Sequence, residues 1–387
     1  MDATAPGEPP IRFERFTFRY PPVAGAAPVT ALEEISLEVA AGEFLGITGS
    51  TGSGKSTLCL AIAGLVPQET GGIVGGSVVV TGWDTRYTPV PQLATRVGVV
   101  FQDPESNLVG LSVEDEVAFG PENLGIPPAE IARRVDWALE VVGLSHERNR
   151  LSAHLSGGQK QRLAIAAVLA MQPQILVLDE PTAQLDPVGK EEVIAAVERL
   201  RQELGRRLTI VLVESDTELL SRFADRIVVL HAGRVALEGS PRAVFSRTQE
   251  LAALGIRIPP LAELAARLNR ALGAELSFLS QTEAEAALAR LLEQTGLTRS
   301  NDQPPRAGHQ ERPAAEPVPA PRQARAGSLL TLARERDDQT LHAREPASLI
   351  EIEDARYRYG GVYPALNGVS LRIGAGEFLA LIGPNGS

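Results

Sequence analysis

The stretch Gly49-Ser-Thr-Gly-Ser-Gly-Lys55-Ser56 constrains this chain more than any other. It fits the spacing G-x-x-x-x-G-K-[ST], and it lies between an apolar run, Phe44–Thr48, and a helix-compatible run, Thr57–Leu65. Strand, glycine-rich turn and helix in that order make a phosphate cradle. The glycines let backbone N–H groups turn inward around phosphate oxygens, and the helix presents its positive end to the same charge. Lysine is scarce, with only Lys55, Lys160 and Lys190 among 37 basic residues, so a lysine at the demanded position is not an effect of composition. The spacing assigns Gly49, Ser50, Thr51, Gly52, Ser53, Gly54, Lys55, Ser56 and Thr57 to a nucleoside triphosphate. Lys55 is expected on the β- and γ-phosphates, and Ser56 as a Mg²⁺ ligand.

A second run supplies what phosphoryl transfer needs beyond binding. Ile175-Leu-Val-Leu-Asp179-Glu180 is four aliphatic residues followed by two acids. A buried strand there delivers Asp179 to its end, to hold Mg²⁺, and Glu180 beside it, to polarise the attacking water; catalysis of this kind is mostly positioning and charge stabilisation. Around these motifs, apolar runs (Phe44–Thr48, Ser77–Thr81, Val97–Phe101, Ile175–Leu178, Thr209–Val213, Arg226–Leu230) alternate with helix-period stretches. That alternation predicts an α/β unit with a largely parallel sheet. The 387 residues carry net charge −11, which argues against a chain that wraps nucleic acid. A lone cysteine, Cys59, excludes an intrachain disulfide framework, and the longest apolar runs fall short of the ~18–20 residues of a membrane span.

Leu155-Ser-Gly-Gly-Gln159-Lys-Gln-Arg resembles the signature sequence of ATP-binding cassette (ABC) ATPases. The residues also speak for themselves: Ser156, Gly157 and Gly158 put backbone donors at the start of an amphipathic helix, a second anion site. The resemblance implies a phosphate-loop NTPase of the cassette type, with a mostly parallel sheet core, an antiparallel β subdomain, a helical subdomain and a small C-terminal lobe. It further implies that Ser156, Gly157, Gly158 and Gln159 contact ATP held by a facing domain. Gln102 matches the glutamine that reaches Mg²⁺ and the attacking water, Tyr20 the aromatic that stacks on adenine, and Ala183–Asp186 the loop that crosses the dimer interface. The stretches Phe101–Leu108 and Val113–Leu124 resemble the ATPases of energy-coupling-factor (ECF) importers of vitamins and transition-metal ions. ATP and Mg²⁺ are then the expected ligands. The expected partners are transmembrane and substrate-binding transporter subunits and a second cassette, in cis or in a homodimer, with no nucleic acid. The expected location is the cytoplasmic face of a prokaryotic membrane. Two alternatives stay open at this point: a soluble ABC ATPase outside transport, and a regulatory pseudo-ATPase.

The second alternative comes from a departure. Cassettes carry a histidine after the strand that follows the paired acids, but here the run is Val211-Leu-Val-Glu-Ser215-Asp216. Ser215 stands at the catalytic histidine position and lacks the imidazole's charge, so slow turnover is expected at the Lys55 site. The five histidines offer no substitute for it.

The chain also repeats itself. Of the 23 positions from Ala31 to Ser53, 12 are identical at an offset of 334 residues. The expected organisation is a cassette over 10–240, a helical lobe over 241–297, a Pro/Ala/Arg-rich disordered linker over 298–347 and the start of a second cassette over 348–387. The second copy stops at Gly383-Pro-Asn-Gly-Ser387, short of its phosphate-loop lysine, and the chain is expected to be a fragment of a tandem-cassette protein.

Overall fold

Three strands of this protein are buried along their whole length, and they set the architecture: β3 (Phe44–Gly49), β7 (Ile175–Asp179) and β8 (Thr209–Val213). Beside them, β9 (Arg226–His231) is buried except at its two ends, and the remaining strands of the first unit alternate or lie at edges: β1 (Ile11–Tyr20), β2 (Val29–Val39), β4 (Ile73–Val80), β5 (Trp83–Asp84), β6 (Val97–Val100) and β10 (Arg234–Gly239). The structure is a computed structural model that describes residues 8–22, 28–105, 108–295, 348–359 and 363–374. The helices used below are α1 (Lys55–Ile62), α2 (Val113–Asn123), α3 (Pro128–Val142), α4 (Gly157–Ala170), α5 (Pro187–Leu204) and α6 (Thr217–Phe223). They are followed by α7 (Pro241–Phe245), α8 (Thr248–Ala253), α9 (Pro260–Leu272) and α10 (Gln281–Thr295).

Strands without polar alternation must be covered on both faces. They form the middle of a six-stranded sheet in the order β10-β9-β3-β8-β7-β6, parallel except for the β9–β10 pair. Successive residues feed two different cores. Leu176, Leu178, Ile210 and Leu212 face the helical side, where α2 to α5 pack, and Val244, Phe245 and Leu251 of the C-terminal helices join the same core. Ile175, Val177, Val211 and Val213 face the opposite side, against α1 and the second sheet.

That second sheet is four-stranded and antiparallel, in the order β2-β1-β4-β5. Its presence agrees with the antiparallel subdomain expected from the family resemblance. The run Ser77–Thr81 is corrected by it: it lies in β4, antiparallel to β1 with Ile11 opposite Val80, and not in the parallel sheet. Only Val78 and Val80 of this strand are buried, as befits a strand covered on one face. In β1, apolar spacing jumps from Phe13 to Phe16, and a bulge takes up the extra residue. Arg15 sits there with φ +45 and donates its N–H to Ser36 Oγ at 3.2 Å, so Phe13, Phe16 and Phe18 all point inward.

The chain divides into two compact units, Met1–Leu292 and Glu293–Ser387. In the second, β11 (Ser348–Tyr359) pairs antiparallel with β12 (Tyr363–Gly374). Its register copies β1–β2 residue for residue. Ile352 opposes Leu371 as Phe13 opposes Leu37, and Ala355 opposes Val369 as Phe16 opposes Ile35. The bulge recurs as well: Asp354 has φ +44 and donates its N–H to Ser370 Oγ at 3.0 Å. The expected linker over 298–347 and the loop at Gly383 lie outside the described residues. Among the described residues, no helix is long and apolar enough to cross a membrane.

Candidate nucleotide site

Parallel strands end on the same edge, and four of them bring the motif residues together. Val100 is opposite Leu178, Asp179 opposite Val213 and Ile47 opposite Val213. The segments that follow β3, β6, β7 and β8 therefore emerge side by side, carrying the phosphate loop, Gln102, the Asp179–Glu180 pair and Ser215. This is the edge where open α/β sheets bind ligands.

The phosphate loop needs glycine where it meets β2. Gly54, the N-cap of α1, has φ +103, and a Cβ there would come within 2.5 Å of the Ala31 carbonyl oxygen. Lys55 is buried and turns back on its own loop. Its Nζ donates to Gly49 O at 2.9 Å and Ser50 O at 3.3 Å, and lies 3.4 Å from Glu180 Oε1. Glu180 follows β7 with φ +48, a conformation that strains a residue with a side chain. Its N–H is held by Val213 O at 2.9 Å, and its carboxylate also accepts the Ser215 hydroxyl at 3.2 Å. Ser215 thus contacts the neighbouring acid directly.

Asp179 fits a divalent cation. Its Oδ1 is buried and has no hydrogen-bond partner, and the Ser56 hydroxyl bonds to the same carboxylate. An orphaned carboxylate oxygen beside a hydroxyl is the hard-oxygen donor set that Mg²⁺ takes. Burial pushes the Asp179 carboxyl above the ordinary range, against the Ser56 hydrogen bond, and the Glu180 charge adds to the rise. A cation at this point would reverse that pressure. Cys59, on α1, is fully buried, and burial pushes its thiol well up, with Asp179 adding to it.

Tyr20 is half-buried, with its hydroxyl 3.2 Å from Thr57 Oγ1, so its ring stands beside the phosphate loop's helix. Gln102 is exposed just past β6. The signature residues make a separate group. Ser156 caps α4: its hydroxyl accepts from Gln159 N at 3.2 Å, and Gln159 Oε1 accepts from Ser156 N at 2.9 Å. Ser156 and Gly157 are exposed, but Gly158 is pressed against α5, where a Cβ would come within 2.7 Å of Gly189 Cα. Their other neighbours include Glu147, Leu185 and Glu192, none of which lies in the phosphate loop.

Sequence reasoning missed Glu214. It is buried among donors from two chain turns, Thr182 and Ser215–Asp216, and the only signal was a carboxylate closing an otherwise apolar strand.

A cradle of this kind on the edge of a mostly parallel sheet, with acids at the end of the next strand but one, defines a phosphate-loop nucleotide-hydrolysing protein. Residues 32–183 match the ABC transporter family. A putative ABC transporter ATP-binding protein of Pyrococcus abyssi is 46% identical over 282 residues, which cover 73% of this chain and 99% of that protein. An energy-coupling factor transporter ATP-binding protein of Symbiobacterium thermophilum is 48% identical over 271 residues, 69% of this chain and 91% of that one. A putative ABC transporter ATP-binding protein of Methanosarcina acetivorans is 37% identical over 388 residues; this chain matches along its full length but spans only 58% of that protein. Among solved structures, cbiO1 of Clostridium perfringens, part of the ABC transporter complex cbiONQ, superposes with TM-score 0.55 at 33% identity, covering 66% of this chain and 98% of that one. The chain belongs to the ATP-binding proteins of ABC transporters, and its enzymatic class is ABC-type ATPase.

Proposed function

We propose that this chain is the ATPase of an ECF-type importer that drives uptake of a vitamin or a transition-metal ion. The observation that carries the reading is the 48% identity, over 271 residues, to an energy-coupling factor transporter ATPase. At the site, the Lys55 ammonium moves from the carbonyls of Gly49 and Ser50 to the β- and γ-phosphates, and backbone amides of Gly52–Thr57 wrap them. Tyr20 stacks on the adenine. Ser56, Asp179 and Gln102 are the residues that hold Mg²⁺, which supplies charge neutralisation at the phosphates when bound. Glu180 accepts a hydrogen bond from the attacking water and turns it toward the γ-phosphorus. Ser156, Gly157, Gly158 and Gln159 complete the site of a facing cassette, which comes from a second copy or from the domain that β11–β12 begins.

Transport requires a contact with membrane subunits, and the surface past Gln102 suits one. Glu116 is buried, and its Oε2 accepts from Val109 N at 2.8 Å and Gly110 N at 2.6 Å. That hold leaves Val109 and Leu111 exposed at 64% and 80%. Ser152 N donates to Leu111 O at 3.0 Å, which sets exposed Leu151 beside them. Scattered exposed apolar residues are ordinary, but a clustered set marks an interaction site. On this reading the chain is a peripheral protein on the cytoplasmic face of the membrane. Co-expression with the polytopic proteins encoded beside its gene is the test. The wild-type chain is expected to co-purify with them in detergent and Leu111→Asp to be lost from the complex; a wild-type chain that purifies alone overturns the transporter assignment.

A further inference from the structure

Ser215 is gripped from both sides. Before it, Glu214 lies 2% exposed at the end of β8. Its Oε1 accepts from Thr182 Oγ1 at 2.5 Å and Thr182 N at 3.2 Å, and its Oε2 accepts from Ser215 N at 3.0 Å and Asp216 N at 3.4 Å. After it, Asp216 caps α6 by accepting from Glu218 N at 3.0 Å and Leu219 N at 3.3 Å, and pairs with Lys190 of α5. Thr182 is two residues past Glu180, whose carboxylate takes the Ser215 hydroxyl.

We propose that Glu214 is a positioning residue for hydrolysis: it clamps the turn after β7 to the turn after β8 and thereby fixes the Ser215 hydroxyl on the Glu180 carboxylate. This rests on the reading of Glu180 as the group that orients water. The chemistry of the clamp is specific. Four donors converge on one side chain, and only a carboxylate offers acceptors on both oxygens. An amide in its place turns an NH₂ toward one of the two donor pairs, which is why glutamine, though isosteric, breaks the clamp. Burial pushes the Glu214 carboxyl above its ordinary range, and the hydrogen bonds from Thr182, Asp216 and Ser215 work against that rise. A serine hydroxyl is short and free to rotate, and it contacts Glu180 only if the backbone carrying it is held. Where an imidazole would fill that space by size, this chain depends on the clamp.

The test uses the full chain with Glu214→Gln, Thr182→Val, Thr182→Ser, Ser215→Ala and the double variant Glu214→Gln/Ser215→Ala. Nucleotide affinity is read by titration with a fluorescent ATP analogue, turnover by phosphate release, and backbone order by amide exchange at Ser215 and Asp216. Glu214→Gln and Thr182→Val are expected to lower kcat by roughly ten-fold, the size of one charge-assisted hydrogen bond, while KM and analogue affinity hold. Thr182→Ser keeps the hydroxyl and recovers what Thr182→Val loses. The double variant is expected to be no slower than Ser215→Ala, because the two act on one contact. Exchange at the Ser215 and Asp216 amides is expected to rise in Glu214→Gln while β7 and β8 stay protected. Unchanged exchange there, multiplied losses in the double variant, or a KM that rises with the fall in kcat overturns the clamp. A wild-type chain that binds no nucleotide overturns the functional reading, and the clamp with it.

Discussion

The phosphate loop Gly49–Thr57 and the helix start Ser156–Gln159 both place glycine where a helix begins, yet the first brings its own cation and the second does not. Lys55 is folded onto the carbonyls of its loop and toward Glu180, so its charge is satisfied in place and can move to an incoming phosphate. At α4, Ser156 and Gln159 satisfy each other. The cations that follow it in sequence are committed elsewhere: Lys160 to Glu105, and Arg162 to the carbonyls of Val142 and Gly143 and to Glu192. The helix start offers only its dipole, worth at most about 1 kcal/mol at an exposed position. On the function proposed above, the first half-site recruits nucleotide alone and the second acts only once a phosphate is brought to it.

The largest effect that sharpens this contrast is at Lys55. Lys55→Ala removes the loop's fixed charge, and truncating one partner of a buried charge pair costs about 2–5 kcal/mol, so ATP affinity is expected to fall by about 10²-fold or more. Equilibrium binding of labelled ATP to the purified chain reads it. Unchanged affinity would mean that the loop does not bind phosphate through this lysine. Of comparable size is Glu180→Gln, expected to leave ATP binding intact while slowing phosphate release by about 10²–10⁴-fold, the usual share of a positioned proton-handling group. Wild-type turnover in that variant would remove Glu180 from the chemistry.

Ser215→His is a gain-of-function test of the same edge. An imidazole reaches past the present contact with Glu180 and can meet the γ-phosphate, so turnover at the Lys55 site is expected to rise, within the ~10²–10⁴-fold that a positioned proton-handling group supplies. A rate that stays level would show that the residue at 215 does not limit that site.

The phosphate loop, the paired acids and the signature were legible because each is contiguous, and local spacing alone dictates the backbone that makes it work. The repeated hairpin was legible for the same reason. The jump from Phe13 to Phe16 and from Ile352 to Ala355 demands one extra residue in each strand, and both hairpins answer with the same bulge. Phe13 and Leu37 are buried under the first sheet, and Ile352 and Leu371 hold the same register positions in the second hairpin. The run Ser77–Thr81 misled because a short β-branched strand reads alike in either kind of sheet. Its partner β1, more than sixty residues earlier, decided the matter. The Glu214 clamp was invisible because Thr182 and Ser215 meet only through the pairing of β7 with β8. The same holds for Gly158 against Gly189, where two helices approach so closely that a Cβ on Gly158 would come within 2.7 Å of Gly189 Cα.

The smallest effect is the most direct attempt to break the contrast. Ser156→Ala removes the hydroxyl that accepts from Gln159 N and with it half of the α4 capping box, a loss of about 1 kcal/mol. For a domain of this size the melting temperature is expected to drop by roughly 2–4 °C. If the signature acts only on a phosphate brought by a facing domain, ATP affinity of the isolated chain at low concentration is expected to match wild type. In a Glu180→Gln background, where bound ATP persists, ATP-driven association measured by sedimentation is expected to weaken by a few-fold, because the frayed helix start meets the γ-phosphate less well. A parallel loss of ATP affinity in the dilute, unassociated chain would place Ser156 in the same half-site as Lys55, and the division between a loop that recruits and a helix that completes would fail.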